Sequence, residues 1–126
     1  MILYHCADLI WATKIKGTAE ALGLAARPVR TVEMLEARLG DTRPTGLVVD
    51  LEAPEVALAL IGRARAEPGW AGKVVAFGPH VAVEAMAAAK RAGADAVMAR
   101  GAFNAGMPGV LRDLASGAEV GDLMED

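Results

Sequence analysis

The sequence is short of the residues on which several classes of protein depend. Only one of its 126 residues is cysteine, aromatic residues make up 4%, and the formal net charge is −3. A lone Cys6 cannot form an internal disulfide, which favours a reducing compartment, and we expect the cytoplasm. Because nucleic-acid binding needs a basic face or aromatic stacking platforms, we expect no nucleic-acid partner.

Long apolar runs are missing as well. No stretch approaches the roughly 18 consecutive apolar residues that a membrane-spanning helix needs, so we expect no membrane partner. The first eight residues carry neither lysine nor arginine, and their short apolar run is unlike a signal peptide. A composition of 54% hydrophobic and 23% charged residues is typical of one globular domain that buries its core without disulfides or a structural metal.

What the sequence does have is a regular alternation of apolar strands with helices. Short apolar runs predict strands at residues 2–6, 28–31, 47–50, 73–77 and 96–99. Helices are predicted at 9–22, 32–39, from 54 or 55 to the Pro68-Gly69 break, at 81–92 and at 108–115. The alternation predicts a parallel sheet with right-handed crossovers over residues 1–117. We expect residues 118–126, an acidic tail, to lie outside the packed domain.

Asp50 is the most informative residue, because it ends an apolar strand just before a new helix. In an open parallel sheet, ligands and chemistry gather at the carboxyl ends of the strands. A carboxylate there is a candidate phosphoryl acceptor, metal ligand or general base, although it can also serve only to close a turn or cap a helix. The other strand ends bring Cys6 and Asp8, then Glu52, then Gly78 and His80, and finally Arg100.

Two segments resemble the receiver domain of bacterial response regulators. Residues 47–54 are similar to the strand and loop that hold the phosphorylated aspartate and its trailing proline, and Asp50 matches the phosphoacceptor. Residues 92–100 are similar to the Gly-Ala-Asp segment that runs to the strand-five lysine. The resemblance implies a flavodoxin-like (CheY-like) α/β fold, a three-layer αβα sandwich with five parallel strands in the order 2-1-3-4-5.

The resemblance also implies a function. The chain is expected to be a stand-alone receiver-like module of two-component signalling or a phosphorelay, which acts through protein–protein interaction. Its expected partners are a histidine kinase or a downstream effector, and a homodimer is expected through the fourth helix, the fifth strand and the last helix. The module is not expected to be an enzyme.

Three departures from the receiver pattern predict a degraded site, as in a pseudo-receiver. Cys6-Ala7 stands where receivers carry two acids that hold Mg²⁺, Arg100 replaces the strand-five lysine, and Gly78 replaces the switch hydroxyl. Asp8, Asp50 and Glu52 remain as candidate Mg²⁺ ligands, a weak set because Mg²⁺ demands near-ideal octahedral oxygen ligation.

Two alternatives from other classes stay open. In the first, Lys14, His80 and Arg100, with Gly78 beside them, form a pocket for a phosphoryl group or another small anion. In that case both His80 and Lys14 contact the anion. Otherwise His80 is a partly exposed residue at the start of a helix, and Lys14 is a solvated helix residue. In the second, Cys6 is the nucleophile of a phosphotransfer enzyme, although the residues that follow it contain no glycine or serine to cradle phosphate.

Overall fold

Strands and helices alternate along the whole chain in the structure, a computed structural model that describes residues 1–124. The strands are β1 (Ile2–His5), β2 (Ala26–Pro28), β3 (Gly46–Asp50), β4 (Lys73–Gly78) and β5 (Ala96–Ala99). The helices are α1 (Leu9–Ala21), α2 (Val32–Asp41), α3 (Pro54–Ala66), α4 (Val83–Ala92) and α5 (Arg100–Ser116). The predicted alternation is confirmed.

The sheet has the order β2-β1-β3-β4-β5 with every pairing parallel, which confirms the predicted topology. The central strand β3 is buried along its whole length. A strand covered on both faces reads as a continuous apolar run, which is why it could be recognised from the sequence. Its last residue, Asp50, therefore reaches the carboxyl edge of the sheet from inside the core.

Two apolar cores lie on the two faces of the sheet. One face packs against α2, α3 and α4, and the other against α1 and α5. In the second core, the rings of Phe77 and Phe103 stack with their centroids 4.3 Å apart, and Trp11 lies 5.2 Å from Phe77. Such ring pairs contribute about 0.5–1.5 kcal/mol beyond area burial. They hold Trp11, on the first turn of α1, close to the carboxyl edge of the sheet.

The last helix differs most from its predicted extent. We expected it at residues 108–115, but α5 begins eight residues earlier, at Arg100, and carries Pro108 inside it. Glycines and an internal proline lower helix propensity, so the sequence pattern favoured a late start. Burial of Phe103 and Met107 outweighs that propensity, because both side chains complete the core above β4 and β5.

Smaller differences concern β2, α2 and α4. The edge strand β2 lies at Ala26–Pro28 rather than at residues 28–31, and its backbone pairs only with β1. Helix α2 continues through Gly40 to Asp41, because Thr42 N–H still donates to the Arg38 carbonyl. Helix α4 begins at Val83, two residues later than predicted.

The tail was expected to lie outside the packed domain, but part of it packs against the domain. Leu123 forms a parallel bridge with Met98 on the free edge of β5, and Val120 packs against the core between the sheet and α5. Glu125 and Asp126 fall outside the described residues. Within residues 1–124, no helix is both long enough and apolar enough to cross a membrane.

The close approach of β3 to α5 generates a prediction. A Cβ on Gly46 would lie 2.9 Å from Leu114 Cβ, whereas a Cβ on Gly62 of α3 would meet nothing within 4 Å. We expect Gly46→Ala to lower the free energy of unfolding by about 1–3 kcal/mol through overpacking. The control Gly62→Ala should raise it by about 0.5–1 kcal/mol. Urea denaturation measures both, and equal stabilities would contradict the packing described.

Candidate functional site

Asp50 and Arg100 meet at the carboxyl edge of the sheet. Asp50 Oδ1 lies 3.9 Å from Arg100 Nη2, although Asp50 ends β3 and Arg100 follows β5, two strands separated by β4. Asp50 is fully buried, and Oδ1 also accepts a 3.0 Å hydrogen bond from the N–H of Glu52. Its second oxygen, Oδ2, is buried without a hydrogen-bond partner. The predicted convergence of an acidic and a basic side chain is confirmed.

Burial is the largest influence on the pKa of Asp50. Removal from water raises the pKa of the carboxyl group above its ordinary value, although the Glu52 N–H and the Arg100 guanidinium both lower it. The nearby charge of Glu52 adds to the rise. One cation at 3.9 Å and one backbone hydrogen bond therefore do not offset the loss of solvation.

Arg100 and Lys14 share an aromatic partner. The Arg100 guanidinium carbon lies 5.8 Å from the centre of the Trp11 ring, and Lys14 Nζ lies 5.0 Å from it. Lys14 Nζ also donates to Asn104 Oδ1 at 3.2 Å, while Arg100 Nε is buried without a hydrogen-bond partner. Cation–π contacts hold two positive groups near one ring.

These side chains line a cleft of about 380 Å³. Its walls are Trp11, Lys14, Pro79, His80, Arg100, Gly101 and Asn104. The three residues proposed from the sequence for anion contact thus lie in one cavity. Gly78 is buried at the end of β4, one residue before this wall. Trp11 and Asn104 were missed by the sequence reasoning, although an aromatic residue one turn into the first helix was a usable signal for Trp11.

Cys6 lies in an environment that keeps its thiol protonated. Burial raises its pKa to about 12, and the negative charges of Asp50 and Asp8 contribute. Since the thiolate is the nucleophilic form, Cys6 at neutral pH has on the order of a thousandfold less thiolate than an ordinary cysteine. That state is opposite to the one that a cysteine-based phosphotransfer enzyme requires.

His5 is a buried polar residue that the sequence reasoning did not single out. Its Nδ1 lies 3.1 Å from the Val29 carbonyl oxygen, so Nδ1 carries the proton, and Nε2 is buried without a hydrogen-bond partner. His5 pairs in register with Val49, the residue before Asp50. No pattern distinguishes such a histidine from the apolar residues of a buried strand.

Solved structures with this architecture come from signalling proteins. The receiver domain of NtrX from Brucella abortus superposes with a TM-score of 0.77 at 18% identity, covering 92% of this chain and 98% of that one. A signal receiver domain of a histidine kinase from Syntrophus aciditrophicus gives 0.76 at 21%, covering 92% and 89%. A response regulator from Thermotoga maritima gives 0.73 at 18%, covering 91% and 96%. The fold is that of a receiver domain.

Sequence comparison adds nothing to this likeness. Neither protein-family models nor curated proteins match the chain. At these identities the likeness concerns the fold, so the chemistry of the site has to be argued from the residues of this chain. The expected flavodoxin-like fold and the expected resemblance to receivers are both confirmed.

The receiver fold implies Mg²⁺, but the residues here do not fit it. Asp8 accepts a 2.8 Å hydrogen bond from Ile10 N–H as the N-cap of α1, and Glu52 is exposed. In residues 1–124, no three His, Cys, Asp or Glu side chains are grouped as a metal site would require. Asp50 is the single buried carboxylate among the described residues, and its neighbours are the protonated Cys6 and the cationic Arg100. This set is not one that Mg²⁺ prefers.

The switch position of the receiver fold is closed by packing. A Cβ on Gly78 would lie 3.2 Å from Leu51 Cβ, and Leu51 is itself 3% exposed. Leu51 N–H also donates to the Phe77 carbonyl at 2.8 Å, which fixes its backbone against β4. A serine or threonine at Gly78 would require Leu51 to shift by a few tenths of an ångström.

The raised pKa of Asp50 predicts a pH-dependent stability. The folded chain retains a proton that the unfolded chain releases near its ordinary pKa of about 3.9, so the free energy of unfolding is highest below that pH and falls as the pH rises through the folded-state pKa. We expect Asp50→Asn to be more stable than wild type at pH 7 by about 1 kcal/mol. The gain should vanish as the pH falls below about 3.9.

Urea denaturation of both proteins from pH 3.5 to 8 measures this difference. The exposed control Glu119→Gln, whose charge does not contribute to the pKa shift of Asp50, should follow the wild-type profile closely. If wild type has the larger free energy of unfolding at every pH, the folded state stabilises the ionised form of Asp50. That result would contradict a raised pKa for Asp50.

Proposed function

We propose that this protein is a receiver-like signalling module of the cytoplasm that binds a protein partner and does not depend on magnesium-assisted phosphorylation of Asp50. A histidine kinase or a downstream effector of a two-component pathway is the class of partner that the fold favours. The observation that carries the proposal is the complete burial of Asp50 beside Arg100.

Phosphoryl transfer to Asp50 would need an exposed, ionised carboxylate. Asp50 has no accessible surface, and burial raises its pKa, which favours the protonated form. Arg100 already lies beside Oδ1, as a fixed fork rather than a mobile ammonium group. The pair therefore serves better as an internal constraint of the fold than as a site of turnover.

Exposed aliphatic side chains lie where partners can reach them. Leu9 and Ile10, at the start of α1, are 76% and 65% exposed. Val81 and Val83, at the start of α4, are 74% and 68% exposed. Both pairs follow the carboxyl ends of strands, near the cleft. Large apolar groups kept in water at one edge of a domain are typical of an interaction surface.

Chemical phosphorylation tests whether Asp50 accepts a phosphoryl group. After incubation with acetyl phosphate and Mg²⁺, we expect neither wild type nor Asp50→Asn to gain the mass of a phosphoryl group, because the carboxylate is enclosed and lacks ligands for the ion. A phosphoryl adduct on wild type that Asp50→Asn does not form would contradict the proposal. An adduct on both proteins would place the chemistry elsewhere, and would contradict it as well.

Affinity capture from the native cell tests the partner half of the same prediction. A partner should be retained equally by wild type and Asp50→Asn, and lost with Ile10→Asp. Thr13→Asp is the matched control, because it adds the same charge to another exposed position of α1. Loss with Asp50→Asn alone would make the carboxylate part of the signal.

Anion binding in the cleft is a second candidate. The observation that favours it is the meeting of Lys14, Arg100 and His80 in one cavity, with Arg100 Nε lacking a partner. Guanidinium and ammonium groups at one opening are suited to a phosphate or carboxylate group. Such a ligand would report a metabolite or a modified partner, with no bond made or broken.

Trp11 can report this binding, because its ring contacts both cations. In a Trp70→Phe background, inorganic phosphate should change the fluorescence of Trp11 along a saturating curve. Lys14→Met should weaken the apparent affinity about tenfold, as loss of a charged hydrogen bond implies. The control Lys16→Met, an exposed lysine on the same helix, should bind as wild type does. A response that is linear, or equal in both lysine variants, would reject the cleft.

A further inference from the structure

The outer edge of β5 is paired with the chain's own C-terminal tail, residues 118–124. Leu123 N–H donates to the Val97 carbonyl at 3.1 Å, and Ala99 N–H donates to the Leu123 carbonyl at 2.6 Å. The bridge is parallel and centres on Met98. Val97 and Ala99 direct these groups away from β4, so the tail satisfies backbone groups that an edge strand otherwise leaves open.

A carboxylate completes the contact. Asp122 Oδ1 accepts a 2.9 Å hydrogen bond from Val97 N–H and lies 2.9 Å from Lys90 Nζ. Burial acts to raise the pKa of Asp122, but the Val97 N–H and Lys90 outweigh it and hold the pKa below its ordinary value. Lys90 Nζ is itself positioned by the Asp95 carbonyl at 3.1 Å. The ionised carboxylate is therefore matched to a donor and a cation already in place.

The side chain of Leu123, which follows Asp122, packs over Gly106 of α5. Leu123 Cδ1 lies 3.7 Å from where a Cβ on Gly106 of α5 would stand, so the glycine leaves room for an aliphatic group. Leu123 stays 40% exposed. The contact therefore combines two backbone hydrogen bonds, one ion pair of a carboxylate with a lysine, and an exposed leucine. Such a contact is small for a permanent part of a core.

We propose that the edge of β5, from Lys90 to Gly106, is a docking site for an extended peptide with a carboxylate residue followed by an aliphatic residue. The tail occupies this site within the same chain and regulates access to it. Strand addition of this kind draws affinity from backbone pairing and specificity from alternate side chains. The inference goes beyond the proposed function and holds whether or not Asp50 is phosphorylated.

The tail is tethered to the same chain, which explains how so small a contact can block the edge of β5 against an incoming peptide. A tethered segment acts at a high effective concentration, so a weak strand blocks an incoming peptide until that peptide is abundant or better matched. The charge rule is also specific: Lys90 and the Val97 N–H accept a carboxylate, so a basic or neutral residue at that position is disfavoured.

The test uses the full chain carrying Asp122→Asn and Leu123→Pro, which removes the carboxylate and one backbone donor of the tail. Amide exchange at Ala99 should become at least about tenfold faster than in wild type, since its partner is released. Glu119→Gln, which loses a tail charge without a contact in the site, should exchange as wild type does. A synthetic peptide of residues 118–124 is then titrated into both proteins and followed by amide shifts at Val97 and Ala99.

Saturable shifts in the released variant, and binding at least about tenfold weaker in wild type, are the expected results. The same peptide with asparagine for Asp122 should bind about tenfold more weakly. Equal binding to both proteins, no binding to the released variant, or unchanged protection of Ala99 would each overturn the proposal. Protection of Ala99 that returns with protein concentration alone would identify a second copy as the occupant, and would also reject the peptide.

Discussion

The structure depends on a carboxylate that is enclosed at the edge of its central strand. Asp50 reaches that edge because β3 runs through the core with both faces covered, and no surface of its side chain meets solvent. One guanidinium at 3.9 Å and one backbone N–H are its compensation, and burial still dominates its pKa. Because ionising a buried carboxylate costs free energy, the residues packed around Asp50 have to keep it enclosed or compensate its charge.

The neighbours of Asp50 are consistent with that constraint. Cys6 stays a thiol, Leu51 occupies the space beside Gly78, and Arg100 lies against Trp11. Each of these features favours a fixed arrangement over one that exchanges a phosphoryl group. The interaction surfaces that we propose lie elsewhere, at the exposed aliphatic residues that begin α1 and α4, in the cationic cleft and at the edge of β5. A module with this distribution of charge and apolar surface is suited to recognising a partner.

Sequence reasoning predicted the parts of the molecule that strong periodicity specifies. Buried strands such as β3 and β5 and a parallel sheet followed from apolar runs placed at regular intervals, whereas the strand order was implied by the resemblance to receivers. The meeting of Asp50 with Arg100 followed from their places at the ends of such strands. The start of α5 was wrong, because glycine and Pro108 mask a helix that only tertiary packing reveals.

The tail and the cleft were beyond local patterns for a different reason. Pairing of Leu123 with β5 depends on backbone groups that any sequence possesses, and on a lysine 33 positions away that carries no signal of its own. The ring of Trp11 is buried, but its contacts with two cations arise from the approach of α1 to α5. Such features depend on three-dimensional neighbours, not on spacing.

A double-mutant cycle between Asp50 and Arg100 tests the central assignment most directly. The free energy of unfolding is measured at pH 7 for wild type, Asp50→Asn, Arg100→Met and the double variant. The account predicts that Arg100→Met is more costly in wild type than in the Asp50→Asn background, by about 1 kcal/mol, as coupled neighbours require. Effects that add within about 0.5 kcal/mol would contradict it, because the buried carboxylate would then be held by something other than Arg100.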